Sequence, residues 1–389
     1  MKAGITIRTI AIIGAMLSFA PAYANANDSS FIQRNYVQSE WELGGWVDAG
    51  IYVNSHGQKN SYTNGQLDMN SGNTGRYKNV KQSDLQANQM WIYLEKKVDE
   101  NAFSIGGRVD FMYGTDGRHF QADGLDHNAS TGRRWGEGDY YAALPQMYAE
   151  IGTKKFNVKV GKFFTPMGLD SSCAPNRFFY STSYENQTYW DFAGALATWE
   201  ISPKFSVYGG WVNGEGTFFN GSDKNGFLGG FGYKFSDRFR LDYSLLSGKD
   251  DNVREYYVQS LTARMNVTKR FDYNITWMLR NEESDRNSSI GWGRYGINQE
   301  MFYHINRCWS LGFGIEWMNN YSDVDTFDNY DVYSLRFGAN WKPTKYFTLK
   351  PEIRYDHYND IEPFNITKSN GLDPKDSQWN FGISGVLTF

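Results

Sequence analysis

Cysteine is almost missing: Cys173 and Cys308 are the only two in 389 residues. That excludes a disulfide-built scaffold and a thiolate metal cluster. The strand map below puts the two near opposite rims, so no bond between them is expected. Proline is also scarce, at 9. The five histidines, His56, His119, His127, His304 and His357, show no metal-ligand spacing, so neither a metal nor a cofactor is expected. A net charge of −4 is too small to point to nucleic acid or another polyanion. No serine or aspartate stands out beside a histidine as a poised nucleophile or base, which argues against an enzyme. Beyond the N-terminal region no run of 18 apolar residues occurs, so no membrane helix is predicted.

What is abundant is aromatic side chain, 17% of the residues, together with 40 glycines. This composition suits many short strands with aromatic girdles better than a helical core. A barrel with a wet lumen reads as hydrophilic on average, because only alternate residues face lipid.

The N-terminus reads as an export signal. Lys2 and Arg8 precede an apolar run from Ile10 to Ala20, and Ala22-Tyr23-Ala24 and Ala24-Asn25-Ala26 offer small-x-small cleavage sites. Residues 1–26 are therefore expected to be a signal peptide cut near Ala24 or Ala26. A short periplasmic segment, 27–39, is expected to follow, with a barrel over 40–389.

Seven polar, mostly basic connections, each followed closely by an aromatic residue, mark tight turns. They lie at Lys96–Ala102, Gly152–Lys155, Ser202–Lys204, Ser236–Arg238, Thr268–Arg270, Asn306–Arg307 and Lys342–Lys345. Between them run longer stretches rich in Asn, Asp, Gly and Ser, near 55–84, 115–140, 164–190, 214–225, 249–254, 282–289, 320–330 and 357–375. Short turns on one side and long loops on the other are the layout of an outer-membrane barrel. The spacing predicts an all-β, antiparallel, up-and-down transmembrane barrel of about 16 strands, with short periplasmic turns and long extracellular loops.

Alternation within the strands is clean. Phe239, Leu241, Tyr243 and Leu245 oppose Arg238, Arg240, Asp242 and Ser244, and Phe271, Tyr273, Ile275, Trp277 and Leu279 oppose Asp272, Asn274, Thr276 and Arg280. Lipid cannot satisfy an open strand edge, so the sheet must close. The final "GISGVLTF" is then a strand that pairs with the first, Glu40 to Asn54. Its Leu387 and Phe389 resemble the C-terminal signal read by barrel-assembly machinery.

Sixteen strands leave a channel where eight leave a filled interior. Parity turns inward Arg108, Asp110, Glu150, Lys159, Arg240, Asp242, Arg264, Arg280, Arg294, Glu300, Arg336 and Arg354, along with Asp48, Glu95, Asp272, Glu316, Lys350, Glu352 and Asp356. Both signs are mixed, which predicts mild selectivity. The third long connection, Val160 to Trp190, is the most aromatic and proline-punctuated of the set, and Pro166 ends strand pairing by withholding an amide hydrogen. Sixteen-stranded porins fold their third external loop inward as a constriction. By that analogy Lys162, Asp170, Arg177 and Glu185 are the expected eyelet charges, with Phe178, Phe179 and Tyr180 as an apolar shoulder.

At this stretch the chain resembles a family. "GKFFTPMG", then "APNRFFYSTSY", then "GALATWEIS" look like the putative β-barrel porin-2 (OmpL-like) family of Gram-negative outer-membrane porins, and the resemblance runs over nearly all of residues 40–389. "GKFFTPMGLD" alone is similar also to phosphate-selective porins. That group implies a basic lumen ladder, whereas acids interleave with bases here. The resemblance implies a porin of the cell outer membrane for passive diffusion of small hydrophilic solutes and ions, in contact with lipid and lipopolysaccharide. An anion- or phosphate-preferring pore is the alternative, ahead of a surface enzyme or adhesin. Sixteen-stranded relatives imply a homotrimer. Asp323, Asp325, Asp328 and Asp331 form an acidic loop that lacks the glycine and terminal glutamate of a calcium loop, and solvation is its expected role.

Overall fold

The computed structural model describes residues 41–57, 62–63, 66–67, 83–184, 191–214, 216–219, 225–249, 255–282, 291–322, 329–368 and 371–389. The expected signal peptide and periplasmic segment, residues 1–39, lie outside the described residues.

Sixteen strands form the wall: β1 (Trp41–Asn54), β2 (Gln86–Lys96), β3 (Ser104–Gly114), β4 (Met147–Gly152), β5 (Phe156–Phe164), β6 (Asp191–Ser202), β7 (Phe205–Asn213), β8 (Asn225–Ser236), β9 (Phe239–Lys249), β10 (Glu255–Asn266), β11 (Phe271–Glu282), β12 (Trp292–His304), β13 (Trp309–Ser322), β14 (Tyr330–Thr344), β15 (Phe347–Tyr358) and β16 (Ser377–Thr388). Each pairs antiparallel with the next, and β16 returns to β1 in register from Trp46 opposite Thr388 to Asn54 opposite Asn380. The sheet therefore has no free edge, as lipid requires.

The turns fall where the polar-then-aromatic pattern placed them, with one shortening. β14 runs through Lys342 and Pro343 to Thr344, and β15 begins at Phe347. β4 is short, but Tyr140–Ala143 continues its line and pairs with the top of β3, Met112 opposite Ala143. The aromatic and aliphatic parity faces out: Ile51, Phe103, Trp199, Trp211, Phe227, Trp379 and Phe381 are all exposed, while the intervening Asp48, Leu228, Asn380 and Ser384 are buried. An exposed apolar belt of this kind is stable only against lipid.

Among the described residues, a hairpin of Phe364–Lys368 with Gly371–Lys375 stands outside the wall between β15 and β16, and two other excursions turn toward the barrel interior. The connection 115–139 opens on a 3-10 turn, Thr115–Phe120, that packs Phe120 against Trp91 with ring centroids 5.4 Å apart. It then crosses to the β7–β8 connection, where the Asp123 amide donates to Gly216 O (2.6 Å) and the Phe218 amide to Asp123 O (2.8 Å). Within it the Asp126 carboxylate accepts from the Ala122 and Leu144 amides at 2.7 and 2.9 Å. Burial pushes the Asp126 carboxyl up, against the pull of Lys162 and of those amides. The second excursion follows β5 and holds the candidate site.

Candidate functional site: the inward segment after β5

β5 ends at Phe164, one residue short of the Thr165-Pro166 step, where proline withholds an amide hydrogen from any further ladder. Gly168 supplies a left-handed φ of 83°, and the chain turns across the barrel. Pro175 opens a second 3-10 turn, Ala174–Asn176. From Arg177 to Tyr184 the segment is buried apart from a partly exposed Phe178, inside a barrel whose wall groups reach in to meet it.

Buried backbone polar groups need partners, and here inward side chains supply them. The Glu352 carboxylate on β15 accepts from the Tyr180 and Ser181 amides at 2.7 and 3.1 Å, from the Ser181 hydroxyl, and from the Tyr52 hydroxyl at 3.4 Å. One strand position lower, Lys350 donates to Ala174 O at 2.7 Å and to Arg177 O. One higher, Arg354 donates to Thr182 O and to Ser181 Oγ, while its Nε binds Asp356 at 2.8 Å. Glu316 on β13 accepts the Tyr184 amide at 2.8 Å, and Gln89 on β2 both donates to Ser172 O and accepts the Ala174 amide. At the near end, Ser260 and Arg264 of β10 hold the amide and carbonyl of Gly168.

Tyr180 marks how closely segment and wall approach. A Cβ on Gly382 would lie 2.3 Å from the Tyr52 ring and 2.8 Å from the Tyr180 ring. Only glycine at that inward position lets both rings sit there.

The expected eyelet charges separate into different settings. Asp170 accepts the Ser183 amide at 2.7 Å and lies 3.8 Å from Arg336, whose other nitrogen binds Glu300 at 3.0 Å. Arg177 is buried, with its guanidinium within electrostatic reach of Asp170. Lys162 is held elsewhere. It is fully enclosed on β5, donates to Phe120 O and Leu144 O, and lies 3.4 Å from Asp191. Its carbonyl partners, Phe120 and Leu144, sit near the two ends of the 115–139 excursion and tie it down. Glu185 lies outside the described residues, as do Asp323, Asp325 and Asp328. Asp331 sits in β14, bound by Trp317 Nε1 and Asn319 Nδ2 at 3.1 and 3.0 Å. Among the described residues no group of three or more metal-ligating side chains occurs. Cys173 is buried in the segment and Cys308 exposed in a periplasmic turn, both as free thiols.

The inward charges pair along the wall: Arg108 with Asp110 and Glu95, Arg280 with Glu282, Arg336 with Glu300, Arg354 with Asp356. Glu150 and Lys159 face each other across β4 and β5. Arg280 and Arg294 both stack on Trp292, 4.7 and 5.7 Å from its ring. Exposure is uneven. The side chains of Arg240 and Arg264 are 53% and 40% exposed and share the Asp242 carboxylate at 2.7 Å each, while those of Arg336 and Arg354 are at most 1% exposed.

Sequence parity missed an apolar part of the inner wall. Val212, Leu228, Leu246, Val258 and Met278 point inward, are buried, and pack with Met167 of the segment. Met318, Val332 and Tyr358 do the same against Tyr184. The signal was present as broken alternation, in Leu245-Leu246, Trp277-Met278-Leu279 and Trp317-Met318, where both parities are apolar at the outer end of a strand.

A family model described as putative beta-barrel porin-2, OmpL-like, matches residues 40–389. Among solved structures, OmpT, an outer membrane protein of Vibrio cholerae in its trimer form, superposes with a TM-score of 0.60 at 11% identity, covering 90% of this chain and 99% of that one. The outer membrane channel DcaP of Acinetobacter baumannii gives 0.59 at 11% identity, covering 90% and 97%. An anion-selective porin from Comamonas acidovorans gives 0.56 at 11% identity, covering 90% and 99%. At such identities the likeness is one of fold. No curated protein sequence matches the chain.

Proposed function

We propose, from the premise that the chain belongs to the putative beta-barrel porin-2, OmpL-like family, that residues 165–184 are the element that sets what crosses this barrel. Membership and fold make the protein a Gram-negative outer-membrane channel for passive diffusion. The observation that carries the proposal is the binding of the segment's backbone by inward groups of β2, β10, β13 and β15. A stretch so fixed narrows the lumen permanently instead of fraying into water.

Within that reading, Arg177 and Asp170 are the charges of the constriction, and Lys162 supports it from behind. Arg177→Ala is expected to change cation-to-anion permeability at least twofold, measured as reversal potential across a planar bilayer under a KCl gradient. Lys162→Met, which loosens the 115–139 excursion, is expected to add current noise with little change in selectivity. Unchanged currents in Arg177→Ala would remove the segment from the constriction.

Anion preference is the second reading, favoured by one observation: two water-exposed inward arginines, Arg240 and Arg264, share a single carboxylate. A reversal potential on the anion side, abolished in Arg264→Ala, would support it. We read the chain as a channel and not an enzyme. Ser310, His304 and Asp272 do form a relay, at 2.9 and 2.8 Å, but Ser310 lies in a flat strand with unbroken register to both neighbours. Such a strand aims no spare amide at an oxyanion, and a wall network is the reading supported. A homotrimer is proposed by likeness to OmpT in its trimer form, and cross-linking in membranes tests it.

A further inference from the structure

We infer that one arc of the periplasmic rim, the turns β8–β9, β10–β11, β12–β13 and β14–β15, is a docking surface for anionic phospholipid headgroups of the leaflet it meets. The inference rests on the outer-membrane placement and is independent of the constriction.

Backbone hydrogen bonds tie these turns to one another. The Asn266 amide donates to Arg238 O at 2.9 Å, the His304 amide to Arg270 O at 2.8 Å and the Lys342 amide to Cys308 O at 2.7 Å. Each bond joins one turn to a strand of the next hairpin, so the four make a continuous ledge. On it Arg238, Lys269, Arg270, Arg307 and Lys342 are all exposed, and none of the five is in an ion pair among the described residues. The one carboxylate within these turns, Asp237, lies 2.8 Å from Lys234. Across the rim Lys97 and Lys154 are instead matched, to Glu42 at 3.4 Å and to Glu100 at 2.6 Å.

Unpaired cations alone could be satisfied by water. What singles out lipid is apolar surface in the same turns. Val267 and Ile305 lie just past the ends of β10 and β12, two residues before Lys269 and Arg307, and both are exposed. Phe235 and Phe239 stack with ring centroids 4.8 Å apart around the turn that carries Arg238. Trp309 and Trp341 stack at 6.0 Å beside Arg307 and Lys342. An anionic leaflet offers hydrocarbon to these side chains and phosphate to the cations at one depth. A carboxylated polymer such as peptidoglycan would answer the charges and leave the apolar groups wet.

The test uses the full-length protein, refolded into nanodiscs of phosphatidylcholine with or without phosphatidylglycerol. Retained phosphatidylglycerol is counted by native mass spectrometry, and unfolding temperature is read from the heat-modifiable band on gels. Lys269→Gln/Arg270→Gln/Arg307→Gln removes charge from the arc, and Lys97→Gln/Lys154→Gln/Lys155→Gln removes the same charge from the opposite rim. We expect phosphatidylglycerol to raise the unfolding temperature of the native protein. The arc variant should lose that rise and retain about tenfold less of the lipid, while the opposite-rim variant keeps both. Equal losses in the two variants would make the effect one of net charge and overturn the docking surface. Displacement of the lipid by soluble glycerol 3-phosphate would overturn it in favour of a free-phosphate site. Binding to purified peptidoglycan that is lost in the arc variant, with lipid retention unchanged, would give the ledge to that polymer instead. KCl currents are recorded in parallel. A native barrel that retains phosphatidylglycerol and never conducts would sink the diffusion channel and leave the ledge standing.

Discussion

Glu352→Ala will release the constriction, and conductance will rise several-fold with frequent transitions between levels. One buried carboxylate serves the Tyr180 and Ser181 amides, the Ser181 hydroxyl and the Tyr52 hydroxyl. Removing it strands two buried amide donors, each costing roughly 1–3 kcal/mol. It also removes a negative charge beside the buried Lys350 and Arg354, and breaking buried charged networks costs about 3–5 kcal/mol. The barrel ladder does not depend on this group, so the cost falls on docking of residues 165–184. Glu352→Gln keeps the shape and one acceptor oxygen and should lie between. Single-channel recording with limited proteolysis reads the outcome: new cleavage between 170 and 184 should accompany the added current. Native-like currents and protection in Glu352→Ala would mean the segment is held by its apolar contacts alone.

Gly45→Val will prevent barrel closure. Gly45 exchanges both backbone hydrogen bonds with Phe389, at 3.1 and 3.0 Å. A Cβ there would lie 2.3 Å from the carbonyl oxygen of Trp91 and 2.7 Å from the Phe389 ring. The ring could turn aside, but the carbonyl belongs to the β1–β2 ladder and cannot move without breaking it. Folded yield should drop by at least about tenfold, which corresponds to ~1.4 kcal/mol, read as loss of the heat-modifiable band on gels. Phe389→Ala added to Gly45→Val separates the two obstacles. Rescue would place the conflict at the ring, and failure to rescue places it at the backbone, as expected.

The barrel was legible because its rules are local. A turn such as Ser236-Asp-Arg238 followed by Phe239 needs only its own residues to specify a hairpin, and the need for closure matches the terminal strand to the first, Glu40 to Asn54, of which Trp46–Asn54 make the pairing. The segment after β5 was less so. Pro166 and Gly168 mark where the wall ends, but the groups that receive the segment lie far along the chain; Ser181 and Glu352 are 171 residues apart. Nothing in either neighbourhood names the other. Parity also equates inward with polar, which hides the inward, buried Leu246 and Val258, and sequence proximity groups Lys162 with charges from which its own contacts separate it.

The strap from Asp123 to Gly216 and Phe218 bears on the order of assembly. Its two ends flank β4, β5, β6 and β7, about ninety residues of chain, and bringing such distant points together is entropically costly until the strands between are in place. The roof over this side of the mouth therefore forms after those four strands have joined the sheet. An insertion intermediate stalled before β7 would present Phe120, Gln121 and Ala122 to protease on the cell surface, whereas in the mature protein they are buried.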